Sequence, residues 1–178
     1  ENNNHFFTHA NSRLLKMGCE KMLLPWDSLP EWLRTEETAP YYQRLFQHRG
    51  SLMVKRGFDL MGAALLLAVL SPVLLACGLA VKFQSGGKML FCQERVTQYG
   101  RRFQIYKFRT MVPAEGQTLQ LTVGEDKRVT QVGHFLRKTR LDELPQLWNI
   151  LKGEMSFVGT RPEVPRYVAS YTPEMLAT

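Results

Sequence analysis

The dominant feature in the pattern of apolar and polar positions is one long apolar run. From Phe58 to Val81 the chain reads FDLMGAALLLAVLSPVLLACGLAV, with Asp59 its sole charge, at the edge. About 24 residues of helix rise ~36 Å, enough for the ~30 Å hydrocarbon core of a bilayer. So long a run has no polar face, which argues against a surface helix of a soluble domain. Two details bear on how it meets a membrane. Ser71-Pro72 falls near the middle, and Pro72 offers no N–H to the Ala68 carbonyl while its ring crowds it; the Ser71 hydroxyl could serve that carbonyl instead. Both flanks are basic, with Arg49, Lys55 and Arg56 before and Lys82 and Lys88 after, whereas a crossing helix has one basic side. Together these predict a re-entrant hairpin: helix, break at Ser71-Pro72, helix back, both ends in the cytoplasm. A kinked crossing helix is the competing reading.

Upstream, PYYQRLFQHRGSLMVKR places Tyr42, Leu45 and Phe46 on one helical face with Arg44 and His48 off it. That composition suits a helix lying in the headgroup layer; a surface helix packed on the domain is the other reading. Leu15, Cys19, Met22 and Leu23 form an earlier helical stripe, read as core packing, and LPWDSLP reads as a linker or turn. After the apolar run, KMLFCQ and RFQIYKFRTM are strand candidates joined through ERVTQYGR, with a turn at Gly100: an antiparallel hairpin. Lys107 and Arg109, two apart on a strand, share a face at about 7 Å. That spacing can hold neighbouring phosphate oxygens, although solvated surface charge explains it equally. AEGQTLQLTVGEDKR reads as a loop. VTQVGHFLRKT reads as a short helix with Val132, Phe135 and Leu136 on its apolar side and Arg137 close to Arg140 on its surface. Leu144, Leu147, Trp148 and Leu151 mark a last helix from about Glu143 to Lys152, stopped by Gly153, with Pro145 in its first turn.

The 178 residues carry a formal net charge of +7 and are 44% hydrophobic, which implies one domain with a core and an anionic partner. Cys19, Cys77 and Cys92 are widely spaced and form no CxxC; free thiols in a reducing compartment are expected. His5 and His9 lie four apart in a polar end and are read as a mobile terminus rather than a metal pair. Against the basic background the adjacent acids Asp142 and Glu143 stand out. Arg137, Lys138 and Arg140 precede them, and Lys152 and Arg161 follow. The simplest account makes Asp142 an N-cap and lets Glu143 complement the helix dipole, but it leaves the surrounding cations unexplained. The chemical account uses them. One carboxylate attacks phosphorus while cations draw charge from the phosphoryl oxygens, and the other helps hold Mg2+. Nearby arginines would keep the nucleophile ionised. Both accounts stand at this level.

With KRGFDL, LSPVLL, QERV, FQIYKFRTM, LRKTRLDELPQLWNILKGEMSFVGTRPE and YTPEM in this order, the chain resembles the bacterial sugar transferase family, the monotopic phosphoglycosyl transferases, from about Val54 to Tyr171. The resemblance implies transfer of a phospho-sugar from a nucleoside-diphosphate sugar, usually a UDP-sugar, to polyprenyl phosphate. The products would be a polyprenyl-diphosphate sugar and UMP, formed by a ping-pong mechanism with Mg2+. This would be the first membrane step of capsule, O-antigen, exopolysaccharide or protein-glycan synthesis. It implies Asp142 as the nucleophile of an aspartyl-phosphosugar and Glu143 as its acidic partner. Lys107, Arg109, Arg137 and Arg161 would engage phosphates. It also implies a helix-break-helix entering one leaflet, with the break at Ser71-Pro72. Thr160 stands where many members have the first proline of GPRP, and the chain stops at Thr178 where members usually continue, so a truncated end is expected.

The expectation is an α+β, mostly helical protein. N-terminal helices over 1–53 would be interfacial or able to serve a homodimer. A re-entrant membrane hairpin would occupy 54–83, and a cytoplasmic catalytic domain with a small antiparallel β-hairpin 84–178. It would be monotopic at the cytoplasmic membrane, with UDP-sugar, polyprenyl phosphate and membrane lipid as partners. A nucleic-acid binder, raised by the charge and by Tyr106 and Phe108 beside Lys107 and Arg109, has no use for the apolar run. The remaining alternative is a non-catalytic basic membrane scaffold, which would be indifferent to loss of Asp142.

Overall fold

The computed structural model describes residues 23–85, 87–112 and 128–172. Its elements are helices α1 (Ala39–Gln47) and α2 (Arg49–Ser85), strands β1 (Leu90–Val96) and β2 (Arg102–Phe108), and helix α3 (Gln131–Thr139). A 3-10 helix (Leu141–Gln146) then runs into α4 (Leu147–Lys152), and a single turn, α5 (Pro165–Val168), closes the order. The described chain is thus mostly helical with one two-stranded antiparallel sheet.

The apolar run lies inside α2, 37 residues long and so about 55 Å at ~1.5 Å per residue. The break expected at Ser71-Pro72 is absent: Pro72 sits within a continuous helix. The Ser71 hydroxyl donates to the Ala68 carbonyl at 2.8 Å, the acceptor that Pro72 leaves without an amide. Packing keeps its phase across the proline. Asp59, Ala63, Gly78 and Val81 are buried, and Leu67 and Leu74 pack beside them, all on one helical face. Ahead of Pro72 this face meets Leu147 and Ile150 of α4; beyond it, Phe108 of β2 and Leu136 of α3. The other face stays apolar and open, with Phe58, Met61, Leu65 and Val69 each 64–66% exposed. Only 11% of the most apolar 18-residue stretch is buried, so α2 is not the core helix of a soluble domain. Ser71→Ala should leave the Ala68 carbonyl without a donor and lower stability in detergent by about 1–2 kcal/mol. Adding Pro72→Ala should recover the loss, because the new amide bonds that carbonyl. A double variant no more stable than the single one would contradict the compensation.

Of the two readings of LPWDSLP, linker or turn, the structure shows turns. Each proline opens a short 3-10 turn, Trp26–Ser28 and Glu31–Leu33, and Leu29 and Leu33 are buried. In α1, Tyr42 meets Trp26 edge-on at 5.1 Å and donates its hydroxyl to the Leu24 carbonyl, while Leu45 and Phe46 remain exposed. The stretch carrying His5, His9, Leu15, Cys19 and Met22, and nearly all of AEGQTLQLTVGEDKR, lies outside the described residues.

The strands pair from Leu90↔Phe108 to Val96↔Arg102, and the turn expected at Gly100 passes through positive φ at Tyr99 and Gly100. Thr130 caps α3 by accepting from the Gly133 amide at 2.9 Å. Val132 and Leu136 face the core, but Phe135, expected beside them, is 57% exposed. A Cβ at Gly133 would fall 2.1 Å from the Thr110 carbonyl oxygen, so only glycine lets α3 close on the chain leaving β2.

Candidate active site

The acid pair does not open an α-helix. After α3, Arg140 turns through left-handed backbone at φ 60°, and the 3-10 helix begins. A non-glycine residue there costs of order 1 kcal/mol. It also removes Arg140 from the helix surface where it was expected to neighbour Arg137. Arg140 is the N-cap of the 3-10 helix, with no side-chain capping bond. Asp142 lies inside the turn and is not the N-cap that the simplest sequence account made it. The stop at Gly153 is as expected, with φ 82°.

Two of the expected cations converge on Glu143. Lys107 Nζ donates to Glu143 Oε1 at 2.8 Å, and Arg161 Nη2 donates to the same oxygen at 3.2 Å. Arg137 Nε donates to Thr110 Oγ1 at 2.9 Å, and its charge reaches Asp142. Arg109 does not join them: β2 ends at Phe108, and its guanidinium lies against Gly87, where an added Cβ would sit 2.6 Å from Nη1. Strand pairing nevertheless continues one position past β2, with the Arg109 amide donating to the Met89 carbonyl at 2.9 Å, so it is the course of the side chain that keeps Arg109 off Glu143.

The environment splits the two acids. Burial, followed by the charge of Glu143, pushes the Asp142 carboxyl above the usual aspartate range, and Lys107 and Arg137 oppose this without prevailing. This reverses the expectation that the arginines would hold Asp142 low; the cations nearest the pair spend their bonds on Glu143. Burial also pushes Glu143 up, but the Lys107 hydrogen bond and the charges of Lys107, Arg161 and Arg140 outweigh it and hold the group below its ordinary value. On the same short helix Asp142 Oδ1 and Gln146 Nε2 are buried with no hydrogen-bond partner among the described residues. A buried carboxylate oxygen left unbonded is costly unless a ligand completes it.

The family model described as bacterial sugar transferase matches residues 50–177. The chain belongs to the bacterial sugar transferase family. It is 42% identical over 123 residues to the UDP-N-acetylgalactosamine-undecaprenyl-phosphate N-acetylgalactosaminephosphotransferase of Aeromonas hydrophila, a match covering 68% of this chain and 29% of that protein. It is 40% identical over 137 residues to the undecaprenyl-phosphate glucose phosphotransferase of Komagataeibacter xylinus, covering 74% and 26%. It is 44% identical over 129 residues to the UDP-glucose:undecaprenyl-phosphate glucose-1-phosphate transferase of Caulobacter vibrioides, covering 66% and 48%. The match thus spans less than half the length of each of these relatives.

In this member of the family, residues that sequence reasoning passed over hold the site in place. Asp59, buried in α2, accepts from Ser156 Oγ at 2.7 Å and from the Phe157 amide at 3.3 Å, and Lys55 donates to Ser156 Oγ and the Val158 carbonyl. On the far side of Arg161, Arg95 donates to the Pro162 carbonyl at 3.1 Å and the Val96 amide to the Glu163 carbonyl at 2.9 Å. The loop carrying Arg161 is therefore fixed at both ends, one of them on the apolar helix. Asn149, fully buried, ties α4 to β2: its amide donates to the Gln104 carbonyl and Glu154 Oε2, both at 2.7 Å, and its oxygen accepts from the Tyr106 amide at 3.2 Å. The available signals were one acid in an apolar run and one amide among leucines.

Proposed function

We propose that the protein transfers sugar-1-phosphate from a UDP-sugar to a polyprenyl phosphate, with Asp142 as the covalent carrier. The observation that carries this reading is the buried, unbonded Asp142 Oδ1 beside a carboxylate that gathers Lys107 and Arg161. The names of the relatives support undecaprenyl phosphate as acceptor.

In the first half-reaction an Asp142 oxygen forms a bond to the sugar-bearing phosphorus. The bond from that phosphorus to the bridging oxygen breaks, and UMP leaves with the bridging oxygen and its electron pair. In the second, an oxygen of the lipid phosphate attacks the same phosphorus, the Asp142–phosphorus bond breaks, and the carboxylate is restored. Lys107 and Arg161 exchange Glu143 for phosphoryl oxygens and stabilise the charge that develops there. Arg137 adds positive charge beside Asp142. The raised Asp142 group gives a more basic, more nucleophilic oxygen once ionised.

Mg2+ takes one or two carboxylates and completes its shell with phosphate oxygens and water. Among the described residues no group of three or more His, Cys, Asp or Glu could hold a metal alone, but the unbonded Asp142 oxygen beside Glu143 fits this sparser arrangement. Asp142 and Glu143 would hold the ion, which would draw charge from the diphosphate.

α2 would seat the enzyme in the cytoplasmic leaflet. One face is held along the catalytic unit on both sides of Pro72 and the other is apolar and open, so a helix bound in this way supports a seat along one leaflet rather than a crossing. The reading is tested by UMP release from a panel of UDP-sugars, with and without undecaprenyl phosphate. Sustained release should require the lipid; turnover indifferent to it would refute the acceptor. Lys107 lowers both acids, so Lys107→Met should raise both. The acid limb of UMP release should then lie at higher pH than in the wild type, because Asp142 must be ionised; an unmoved limb would remove Lys107 from the site's electrostatics.

A further inference from the structure

An apolar groove of about 510 Å³ lies between α2, the hairpin and the acid-bearing segment. Leu74 and Leu75 of α2, Leu90 and Phe108 of the hairpin, and Pro145 and Trp148 line it, and none of its lining residues is charged. The one hydroxyl among them, on Tyr106, accepts from Lys152 Nζ at 3.2 Å, which places a cation at its edge. Two continuities identify its occupant. At one wall, Pro145 follows Asp142 by three residues in a 3-10 helix, where side chains three apart eclipse; the groove wall and the Asp142 carboxylate thus share one ridge. At the lip, Leu75 and Trp148 are 65% and 53% exposed, and Leu75 belongs to the apolar outer surface of α2. The groove therefore leads from the hydrocarbon side to the short helix that carries the acid pair. At ~30 Å³ per carbon-sized group, the share of one water in the liquid, its volume holds about 17 heavy atoms, or about three isoprene units.

We propose that this groove seats the phosphate-proximal isoprene units of the acceptor lipid, and that chain recognition by the protein ends after about the third unit. The assignment rests on the phosphotransfer reading above. Gly78 provides the means to close the groove. A Cβ there would already stand 3.3 Å from Met89 Sδ and 3.5 Å from Phe108 Cε1, so the remainder of a leucine side chain would enter the groove.

The experiment separates the half-reactions. The wild-type protein, Gly78→Leu and Trp148→Ser are incubated in detergent with the UDP-sugar that supports turnover. Covalent labelling is measured first, followed by transfer to geranyl, farnesyl or undecaprenyl phosphate. Both variants should still label, while their kcat/KM for farnesyl phosphate falls at least tenfold. Wild-type transfer should rise from geranyl to farnesyl phosphate and change less than threefold from farnesyl to undecaprenyl phosphate at a fixed concentration in the micelle. Trp148→Ser, at the exposed lip, keeps the test valid should Gly78→Leu fail to fold. Normal transfer in a folded variant, or a rise continuing from farnesyl to undecaprenyl phosphate, would overturn the groove and leave the phosphotransfer reading standing. Loss of a dimer with transfer intact would assign the groove to a second copy and overturn it likewise. A wild-type chain that never labels would overturn the phosphotransfer reading, and the groove's occupant with it.

Discussion

Replacing Asp142 with asparagine should abolish sugar-phosphate transfer, a loss of about 10⁴-fold or more, as expected when a nucleophile is removed. The amide is nearly isosteric but offers no anionic oxygen to form the bond to phosphorus. Stability should move the other way. Folding raises the Asp142 group, burial being the first cause. Its contribution to stability is therefore fully present below the unfolded-state value and lost as pH rises through the folded one. At neutral pH the ionised carboxylate is thus a burden on the fold, and asparagine relieves it. Asp142→Asn should be inactive yet at least as resistant to thermal unfolding as the wild type at neutral pH. A variant both inactive and clearly less stable would mean that the carboxylate serves the fold, as a capping residue would.

The second large effect is structural. Asn149→Ala should cost about 3 kcal/mol of stability, read as a lowered midpoint of denaturation in detergent. The Asn149 side chain bonds the Gln104 carbonyl and the Tyr106 amide, two residues apart on β2. In this way it completes the strand edge that β1 does not cover, as a third strand would. Alanine removes three bonds and leaves their partners unpaired, at about 1 kcal/mol net for each bond. Asn149→Asp should do no better, because a carboxylate would face the Gln104 carbonyl and Glu154. α4 continues directly from the acid-bearing 3-10 helix, so activity should fall with stability. Wild-type stability in Asn149→Ala would show that the edge is held by packing alone.

Local signals in the sequence were read correctly where the cause is local. The paired strands, the turn at Gly100, the stop at Gly153 and the Ser71 bond to the Ala68 carbonyl all follow from chemistry within a few residues. The predicted break failed because its cause was local and its remedy was too. Pro72 removes one bond, Ser71 replaces it, and packing of one face along two parts of the domain keeps the helix continuous. Arg109 was assigned to the site by its motif and by strand alternation; pairing with Met89 carries the strand to it, yet its guanidinium lies at Gly87 rather than on Glu143. Asp142 was expected as a cap and as an acid held low by cations; the left-handed turn at Arg140 and the pairing of Lys107 and Arg161 with Glu143 changed both. Asp59 and Asn149 were not legible, because their partners lie about 97 and about 43 residues away in the chain and only the fold brings them together.

The central claim is that phosphorus rests on Asp142 between two attacks. It is tested most directly by the intact mass of the purified protein after exposure to UDP-sugar and Mg2+ without lipid, with the adduct located by peptide fragmentation. The account predicts one added sugar-phosphate per chain, carried on Asp142, released as lipid-diphosphate sugar when undecaprenyl phosphate is supplied and missing from Asp142→Asn. Transfer to the lipid with no such adduct at any time, or an adduct on another residue, would contradict it.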